Sequence, residues 1–447
     1  MQAPSNLLVG NGRLLTRDDR MPLIDNGCVA IERGLIVLVG ETEALRQSYP
    51  AAKFIDAHGG LIMPGLINTH THLYSTFARG MALKEDAPAN FVEILERLWW
   101  RLDKVLNLED VYLSAMVGMI GCIKNGTTTI FDHHSSPGDL RGSLLRIAEA
   151  AQQTGLRSCL CYEVTDRDGS MVTDASIEEN REFLASCKAS PDDLIRGLFG
   201  LHASFTVSDE TVARSTRVAA DLGAGFHIHV AEAESDVIAC QREHGKRVVE
   251  RLHDLGILGP KTIAAHCVHV NDREIDLLRS TGTSVIHNPE SNMGNAVGCA
   301  PVLEMVRRGV SVGMGSDGYT CDMFESLKVA NLLHKHQTGQ PGAAWREPAA
   351  MLFEQNAMIA SECFGRPIGR LVPGACADII VVDYDPPTPM LTSNIGSHLL
   401  FGVSGRSVHT TIIGGQVVMK DRELLSIDEK EVTAKARASA VKLWDRF

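Results

Sequence analysis

Short apolar runs alternate with helical stretches along the middle of the chain. Eight runs, each ending in polar residues, can be read from the sequence, at residues 66–72, 127–134, 157–166, 196–204, 225–232, 262–269, 283–289 and 310–318. The stretches between them carry apolar residues at three- and four-residue spacing, and those that begin at Ser208 and Asn271 open with acidic residues, as helix N-termini do. The pattern predicts consecutive strand–helix units.

Eight such units over about 250 residues match the number and length of a (β/α)8 barrel of the TIM type. An open, doubly wound sheet more often has about five or six strands and a glycine-rich first turn. No Gly-x-Gly-x-x-Gly follows the first of the apolar runs. We therefore predict an α/β fold with a barrel over residues 64–370.

The two ends of the chain share a different sequence pattern, in which glycine interrupts runs rich in Val, Ile and Leu. Gly414 and Gly415 separate two apolar runs, which is a hairpin signal. The ends could form one small composite β-sandwich domain, with residues 1–63 as its first part and 371–447, including a C-terminal helix, as its second. Two unrelated terminal hairpins are the alternative.

Composition narrows the partners and the compartment. The 447 residues carry a net charge of −12, the wrong sign for binding phosphate backbones, so we expect no nucleic-acid partner. The 11 cysteines are scattered and include no Cys-x-x-Cys pair, so they predict reduced thiols and not a disulfide framework. Without a signal-like start or an apolar run of roughly 18 residues, we expect a cytoplasmic protein with no membrane association.

Ionisable residues collect at the carboxyl ends of the predicted strands, which open onto one face of a barrel. His70 and His72 are two residues apart at the end of the first strand, so both imidazoles point the same way. Later strand ends supply His227, His229, Glu232, His266, His287, Asn288 and Asp317. Several imidazoles and one carboxylate are thus expected to converge.

Each of these motifs has a simpler explanation when taken alone. A His-x-His pair is common on exposed strands, a buried histidine such as His266 is usually a hydrogen-bonded core residue, and Gly-Ser-Asp-Gly around Asp317 is usually a turn that caps a helix. The occurrence of all these motifs at the same end of successive strands favours a metal site.

Five motifs together resemble the amidohydrolase superfamily, in particular its chlorohydrolase/deaminase branch, which includes triazine hydrolases and guanine deaminases. They lie at residues 64–72, 229–232, 265–267, 287–293 and 315–317. Residues 98–103, 132–137 and 401–402 are more closely similar to the SsnA group of aminohydrolases. The resemblance covers essentially the whole chain and is more specific for the superfamily than for the substrate.

The resemblance implies that His70, His72, His229 and Asp317 hold a single divalent metal ion. Binuclear members use a carboxylated lysine on an earlier strand, and the fourth run has no lysine. Imidazole and carboxylate ligands suit Zn²⁺, with Fe²⁺ or Mn²⁺ as alternatives.

The resemblance also implies hydrolytic deamination of an amino-substituted nitrogen heterocycle, of purine or pterin type, with release of ammonia. Asp317 would accept a proton from water and Glu232 would protonate the ring nitrogen. His266 would polarise the substituent of the attacked carbon or stabilise charge developing on the oxygen. The expected substrate-binding residues are His202, His287, Asn288, Trp99, Trp100 and Asp103. For the two tryptophans, packing between helix and barrel is an equal alternative.

Other functions remain open at this point. The same site could hydrolyse a cyclic amide or remove a halide from a heterocycle. A non-catalytic metal-binding protein is less favoured, because binding alone does not require Glu232, and a structural zinc site would more often be closed and thiolate-rich. We expect a small-molecule substrate and a homo-oligomeric enzyme.

Overall fold

The architecture is that of a computed structural model, which describes residues 6–83, 85–190 and 192–447. The first strands, β1 to β5, and one helix, α1, belong to the N-terminal segment, and residues 1–5 of the predicted first domain lie outside the described part. These elements are β1 (Leu7–Leu15), β2 (Leu23–Glu32), β3 (Leu35–Glu41), α1 (Thr42–Ser48), β4 (Lys53–Asp56) and β5 (Leu61–Pro64).

The eight apolar runs of the middle segment all form parallel strands. They are β6 (Leu66–Thr71), β7 (Thr127–His134), β8 (Arg157–Tyr162), β9 (Ile195–Gly197), β10 (Phe199–Ala203), β11 (Phe226–Val230), β12 (Ile263–His266), β13 (Ser284–His287) and β14 (Val312–Met314). The fourth run is divided at Leu198, so the strands form one sheet of four, β6 to β9, and one of five, β10 to β14.

The two parallel sheets are in contact at both of their edges. At one junction Val164, just after β8, pairs with Leu201 of β10, and a Cβ at Gly200 would lie 2.2 Å from the Tyr162 carbonyl oxygen, so this approach requires glycine. At the other, Thr71 of β6 pairs with Asp317, which follows β14. The strands of the barrel region are thus neighbours in chain order from β6 to β14.

Helices lie between these strands and after them. They are α2 (Phe91–Ile94), α3 (Trp100–Val105), α4 (Leu108–Lys124), α5 (Ser143–Thr154), α6 (Ser170–Ala189), α7 (Asp209–Leu222), α8 (Glu234–His244), α9 (Val248–Asp254), α10 (Asp272–Thr281), α11 (Pro289–Gly294), α12 (Val302–Arg307), α13 (Met323–Thr338), α14 (Glu347–Ala350) and α15 (Asn356–Phe364). Ser208 caps α7 and Asn271 caps α10, as expected.

Shorter helical turns complete the chain between these elements. Leu73–Ala78, Ser204–Thr206 and Gly405–Ser407 are 3-10 turns, and Leu95–Trp99 and Met351–Gln355 are π-helical. Within the described ranges, no single helix is long and apolar enough to span a membrane. The pair 91–105 and 108–124 passes that test together, bent by 111°.

The C-terminal segment returns to the N-terminal strands. It contains β15 (Ile379–Val382), α16 (Ile395–Gly402), β16 (Val408–Ile413), β17 (Gln416–Lys420), β18 (Glu423–Leu424) and the predicted final helix, α17 (Glu429–Arg446). β15 pairs antiparallel with β5, so strands from both ends of the chain share one nine-stranded sheet.

Apolar residues fill the amino-terminal end of the barrel region. Ile67, Phe131, Ile263 and Ile286 come from different strands and pack with Phe364 of α15. Burial of such side chains contributes about 25 cal/mol per Å² of apolar surface. This packing leaves the opposite, carboxyl ends of the strands for polar side chains.

Candidate active site

The strand ends bring the four predicted metal ligands together. The Nε2 atoms of His72 and His229 are 3.2 Å apart, and His72 Nε2 is 3.4 Å from Asp317 Oδ1. The ring of His70 lies 4.9 Å from that of His72 and 5.1 Å from that of His229, between centroids. Two residues on β6, one on β11 and one after β14 thus converge.

Hydrogen bonds fix which nitrogen of each ring carries the proton. His72 Nδ1 lies 2.5 Å from the carbonyl oxygen of His133, and His229 Nδ1 lies 2.8 Å from that of His202. A carbonyl can only accept, so both Nδ1 atoms donate. When both rings are neutral, the two Nε2 lone pairs face each other, an arrangement that a shared cation stabilises.

His70 supports the same conclusion. Its Nδ1 is 2.8 Å from His227 Nε2, whereas its Nε2 is buried and has no hydrogen-bond partner within the described part of the chain. Burial lowers the pKa of His70 and of His229 well below the usual value, so both rings are neutral and able to bind metal. This donor set fits a divalent cation such as zinc.

Asp317 is held by two short hydrogen bonds. Ser291 Oγ donates to its Oδ2 and the Gly318 amide to its Oδ1, each at 2.6 Å. Asp317 has a φ of +54°, His266 of +74° and Ala231 of +46°. Such left-handed conformations cost about 1–3 kcal/mol each for residues other than glycine and tend to cluster at functional sites. Here they follow three of the strands that supply the site.

Two further predicted catalytic groups lie next to Asp317. His266 Nε2 is 3.5 Å from Glu232 Oε2 and 3.6 Å from Asp317 Oδ2. Burial, reinforced by repulsion from Asp317, raises the pKa of Glu232 well above its usual value. A protonated carboxyl group at this position can donate a proton to a bound molecule.

The site opens into a cavity that is continuous with solvent. Four of the predicted substrate-binding residues line it: His202, Trp99, Trp100 and Asp103. Trp99 packs edge-on against Tyr74, with ring centroids 6.3 Å apart, and the Arg167 guanidinium lies 5.0 Å from the Trp100 ring. The tryptophans therefore pack in the wall and face the cavity at the same time.

His287 and Asn288 are not brought to the cavity. His287 Nε2 is 3.1 Å from His334 Nε2, and the Asn288 amide lies 3.4 Å from His266 Nδ1; both residues are fully buried. Helix α11 begins directly after them. Its Ser291 and the adjacent Asn295 line the cavity instead.

Asp103 is 2 % exposed and lines the cavity. Its Oδ2 pairs with Arg167 and accepts a hydrogen bond from Ser135 Oγ at 3.1 Å. Its Oδ1 has no hydrogen-bond partner within the described part of the chain. Burial raises the pKa of Asp103 to about 6. A contact between Asp103 and substrate stays a prediction, which does not require the pairing with Arg167 to break.

Sequence reasoning missed two residues beside the ligands. His133 lies with His70, His72 and His229 in one cluster whose candidate ligand atoms are all within 4.8 Å of one another. Glu163, one residue beyond β8, has its Oε1 3.1 Å from His133 Nδ1. The rule applied to the other strand ends would have selected Glu163, because it also follows its strand directly.

Comparisons with known proteins agree with this geometry. The sequence is 34 % identical over 443 residues to a 5'-deoxyadenosine deaminase of Methanosarcina mazei, covering 98 % of both chains. It is 32 % identical over 446 residues to a 5-methylthioadenosine/S-adenosylhomocysteine deaminase of Pelotomaculum thermopropionicum, covering 99 % of this chain and 100 % of the relative.

A solved structure shares the fold over nearly the whole chain. It is an adenosine deaminase from Xanthomonas campestris with bound zinc, 25 % identical, with a TM-score of 0.88 and 99 % of each chain covered. The sequence profile of the amidohydrolase family matches residues 61–418. The convergent histidines, the aspartate and these similarities lead to one conclusion: the chain belongs to the amidohydrolase family.

Proposed function

We propose that this protein is a metal-dependent aminohydrolase, a hydrolase of carbon–nitrogen bonds other than peptide bonds, that releases ammonia from an amino-substituted purine-type heterocycle. The observation that carries the proposal is the position of Glu232, a buried carboxyl group with a raised pKa, beside the imidazole cluster at the floor of the cavity. Simple metal storage would not need an acid there.

One divalent cation, with zinc as the first choice, would be held by His70, His72, His229 and Asp317. When bound, such an ion lowers the pKa of water and so supplies a nucleophile at neutral pH. His133 is left out of the ligand set because its Nδ1 faces Glu163.

The protein's own groups carry the proton transfers. Glu232 donates its proton to the ring nitrogen next to the attacked carbon, and Asp317, held by Ser291, accepts a proton from the attacking water. His266 Nδ1 donates to Asn292 Oδ1 at 2.9 Å, which leaves a lone pair on Nε2. We therefore assign His266 to orienting the water by accepting from it, and not to stabilising a negatively charged oxygen as the sequence suggested.

The walls of the cavity suit a nucleoside or a flat base. Trp99, Trp100 and His202 offer ring faces or edges to a planar substrate. The relatives named above act on adenine nucleosides, which makes these the first compounds to test.

We also propose that the strands from β6 to β14 close a (β/α)8 barrel over residues 64–370. Residues 1–63 and 371–447 would form the composite β domain, supported by the pairing of β5 with β15. A homo-oligomer, a cytoplasmic location and the lack of nucleic-acid and membrane partners remain predictions from composition and resemblance.

The test is an ammonia assay on protein reconstituted with zinc. The panel contains adenosine, 5'-deoxyadenosine, 5'-methylthioadenosine, guanine, a pterin, cytosine and an aminotriazine. We expect ammonia from at least one purine compound, and its loss after chelation with recovery on adding zinc. Metal-loaded protein that releases ammonia from none of them would refute the proposal.

A further inference from the structure

Two acceptor atoms with no protein partner face the cavity between β8 and β10. Glu163 Oε2 and His202 Nε2 are 3.9 Å apart, and both residues line the cavity. Glu163 is 3 % exposed. In the described parts of the chain, neither atom is paired in a hydrogen bond, although Glu163 Oε1 is turned away toward His133.

Glu163 Oε2 is an acceptor wherever the nearby proton resides. His133 Nε2 donates to the His227 carbonyl at 3.0 Å, which turns His133 Nδ1 toward Glu163 Oε1, 3.1 Å away. A proton between these atoms can sit on the imidazole or on Oε1. In both cases Oε2 keeps its lone pairs toward the cavity.

His202 presents an acceptor for a different reason. The Thr206 hydroxyl donates to the Ala203 carbonyl at 3.1 Å, so it can only accept from His202 Nδ1, which lies 2.7 Å away. The proton of a neutral His202 is therefore on Nδ1, and Nε2 is left with a lone pair. Like Glu163, His202 therefore presents a hydrogen-bond acceptor to the cavity.

The pair lies at the depth of the reacting ring. Glu163 Oε1 is 3.5 Å from His72 Nδ1, and the His202 carbonyl accepts from His229 Nδ1. Both residues therefore contact imidazoles of the metal cluster. A sugar attached to the ring would extend farther toward the cavity mouth.

Acceptors that face a cavity lose their contacts with water when a ring fills it, so a bound ring that supplies donors gains affinity. In a nucleoside, adenine carries hydrogens on nitrogen only at the amino group that leaves, since its other edge positions accept; guanine-type rings add a 2-amino donor. We propose that Glu163 and His202 select a heterocycle with a second amino group or a ring N–H. This inference rests on the proposed function and narrows its substrate to diamino or amino-oxo rings.

The reaction would be a hydrolysis at one amino-bearing carbon only. Water adds its oxygen to that carbon, the carbon–nitrogen bond breaks, and the two hydrogens of the water end on the departing ammonia and on the ring nitrogen. The second amino group stays on the ring, bound by Glu163 and His202, so a diaminopurine nucleoside would yield a guanosine-type product.

Adenosine and 2-aminoadenosine form a matched pair, since they differ only in that second amino group. We expect zinc-loaded protein to deaminate 2-aminoadenosine with a kcat/KM about 10- to 100-fold higher, the usual value of a hydrogen bond to a charged group. Glu163→Leu should reduce this ratio to less than about threefold. Equal kcat/KM values for the two nucleosides in the wild-type protein would overturn the inference while leaving the proposed function intact.

Controls separate folding from recognition. Glu182→Gln changes a carboxylate on α6 that is 58 % exposed and should leave the ratio unchanged. His202→Phe removes the second acceptor and is used with Glu163→Leu, so that one misfolded variant does not end the test. A variant that keeps its metal content, melting temperature and full preference for 2-aminoadenosine would overturn the role of the residue changed.

A binding measurement tests the same contact without turnover. Guanosine and inosine are the corresponding products, and calorimetry on wild-type protein should give guanosine the lower Kd by about tenfold or more. The free bases 2,6-diaminopurine and adenine should show the same order. A preference that depends on the ribose and not on the 2-amino group would mean that Glu163 and His202 hold sugar hydroxyls, which contradicts the inference.

Discussion

At the scale of single residues, the site depends on hydrogen bonds, each of which fixes the atom that carries a proton. Backbone carbonyls accept from the Nδ1 atoms of His72 and His229, and the opposite nitrogens are thereby fixed as ligands. Glu232 is distinguished from Asp317 by its environment: burial raises its pKa, whereas Asp317 is stabilised by donors from Ser291 and Gly318. Two neighbouring carboxyl groups can then serve as acid and base.

The first prediction concerns the acid. Glu232→Gln removes the proton donor but no ligand, so zinc content should stay near that of the wild type while kcat falls by about 10²- to 10⁴-fold. Metal analysis and the ammonia assay check this. The exposed Glu234→Gln, two residues along the chain, is the control and should retain activity. Loss of zinc from Glu232→Gln would show that Glu232 is a ligand.

The second prediction concerns the base. Asp317→Asn replaces a charged ligand by a neutral one and removes the proton acceptor, so zinc affinity should fall by at least about tenfold and the rate with saturating zinc should fall as well. Competition with a chromogenic chelator gives the affinity. An unchanged affinity would exclude Asp317 from the ligand set.

At the scale of elements, the predicted site residues are polar residues at the ends of buried strands, and the structure brings four of them together. His70, His72, His229 and Asp317 converge because the carboxyl ends of parallel strands share one face. The same rule selected His287, which the structure buries against His334 and not in the cavity lining; no local pattern in the sequence indicates that contact. Glu163 was overlooked although the same rule applies to it.

The third prediction belongs to helix α10, which follows the strand that carries His266. Asn271 accepts from the Glu274 amide at 3.0 Å and caps the helix. Asn271→Ala should lower the local stability of α10 by about 1 kcal/mol, measured as faster hydrogen exchange in residues 272–281. Asn271→Asp keeps an acceptor and should exchange like the wild type. Equal exchange in both variants would argue against this cap.

At the scale of the whole molecule, a buried ion pair joins the barrel region to the terminal sheet. Arg157 of β8 donates from Nε to Asp378 Oδ2 at 2.8 Å and from Nη2 to Oδ1 at 3.1 Å. Asp378 lies just before β15, and its Oδ1 also accepts from Gly414. The eight apolar runs that form the nine parallel strands could be read from the sequence, but this long-range pair could not, since no local pattern links residues 157 and 378.

The fourth prediction tests that link. Arg157→Met leaves a buried carboxylate uncompensated and should destabilise the protein by about 3–5 kcal/mol, seen as a lower melting temperature. Adding Asp378→Leu should restore part of the loss. Lys246→Met, at an exposed pair with Asp254, should have little effect. A double variant as unstable as Arg157→Met alone would show that the cost does not come from the unpaired charge.

The pairing of β5 with β15 also affects how the chain folds during synthesis. During synthesis the strands of the N-terminal segment emerge long before their partners from the other end of the chain leave the ribosome. Until then β5 exposes an unpaired edge, which is the kind of surface that recruits other chains. The pairing of β15 with β5 covers this edge and places β18 and β3 at the two ends of the completed sheet.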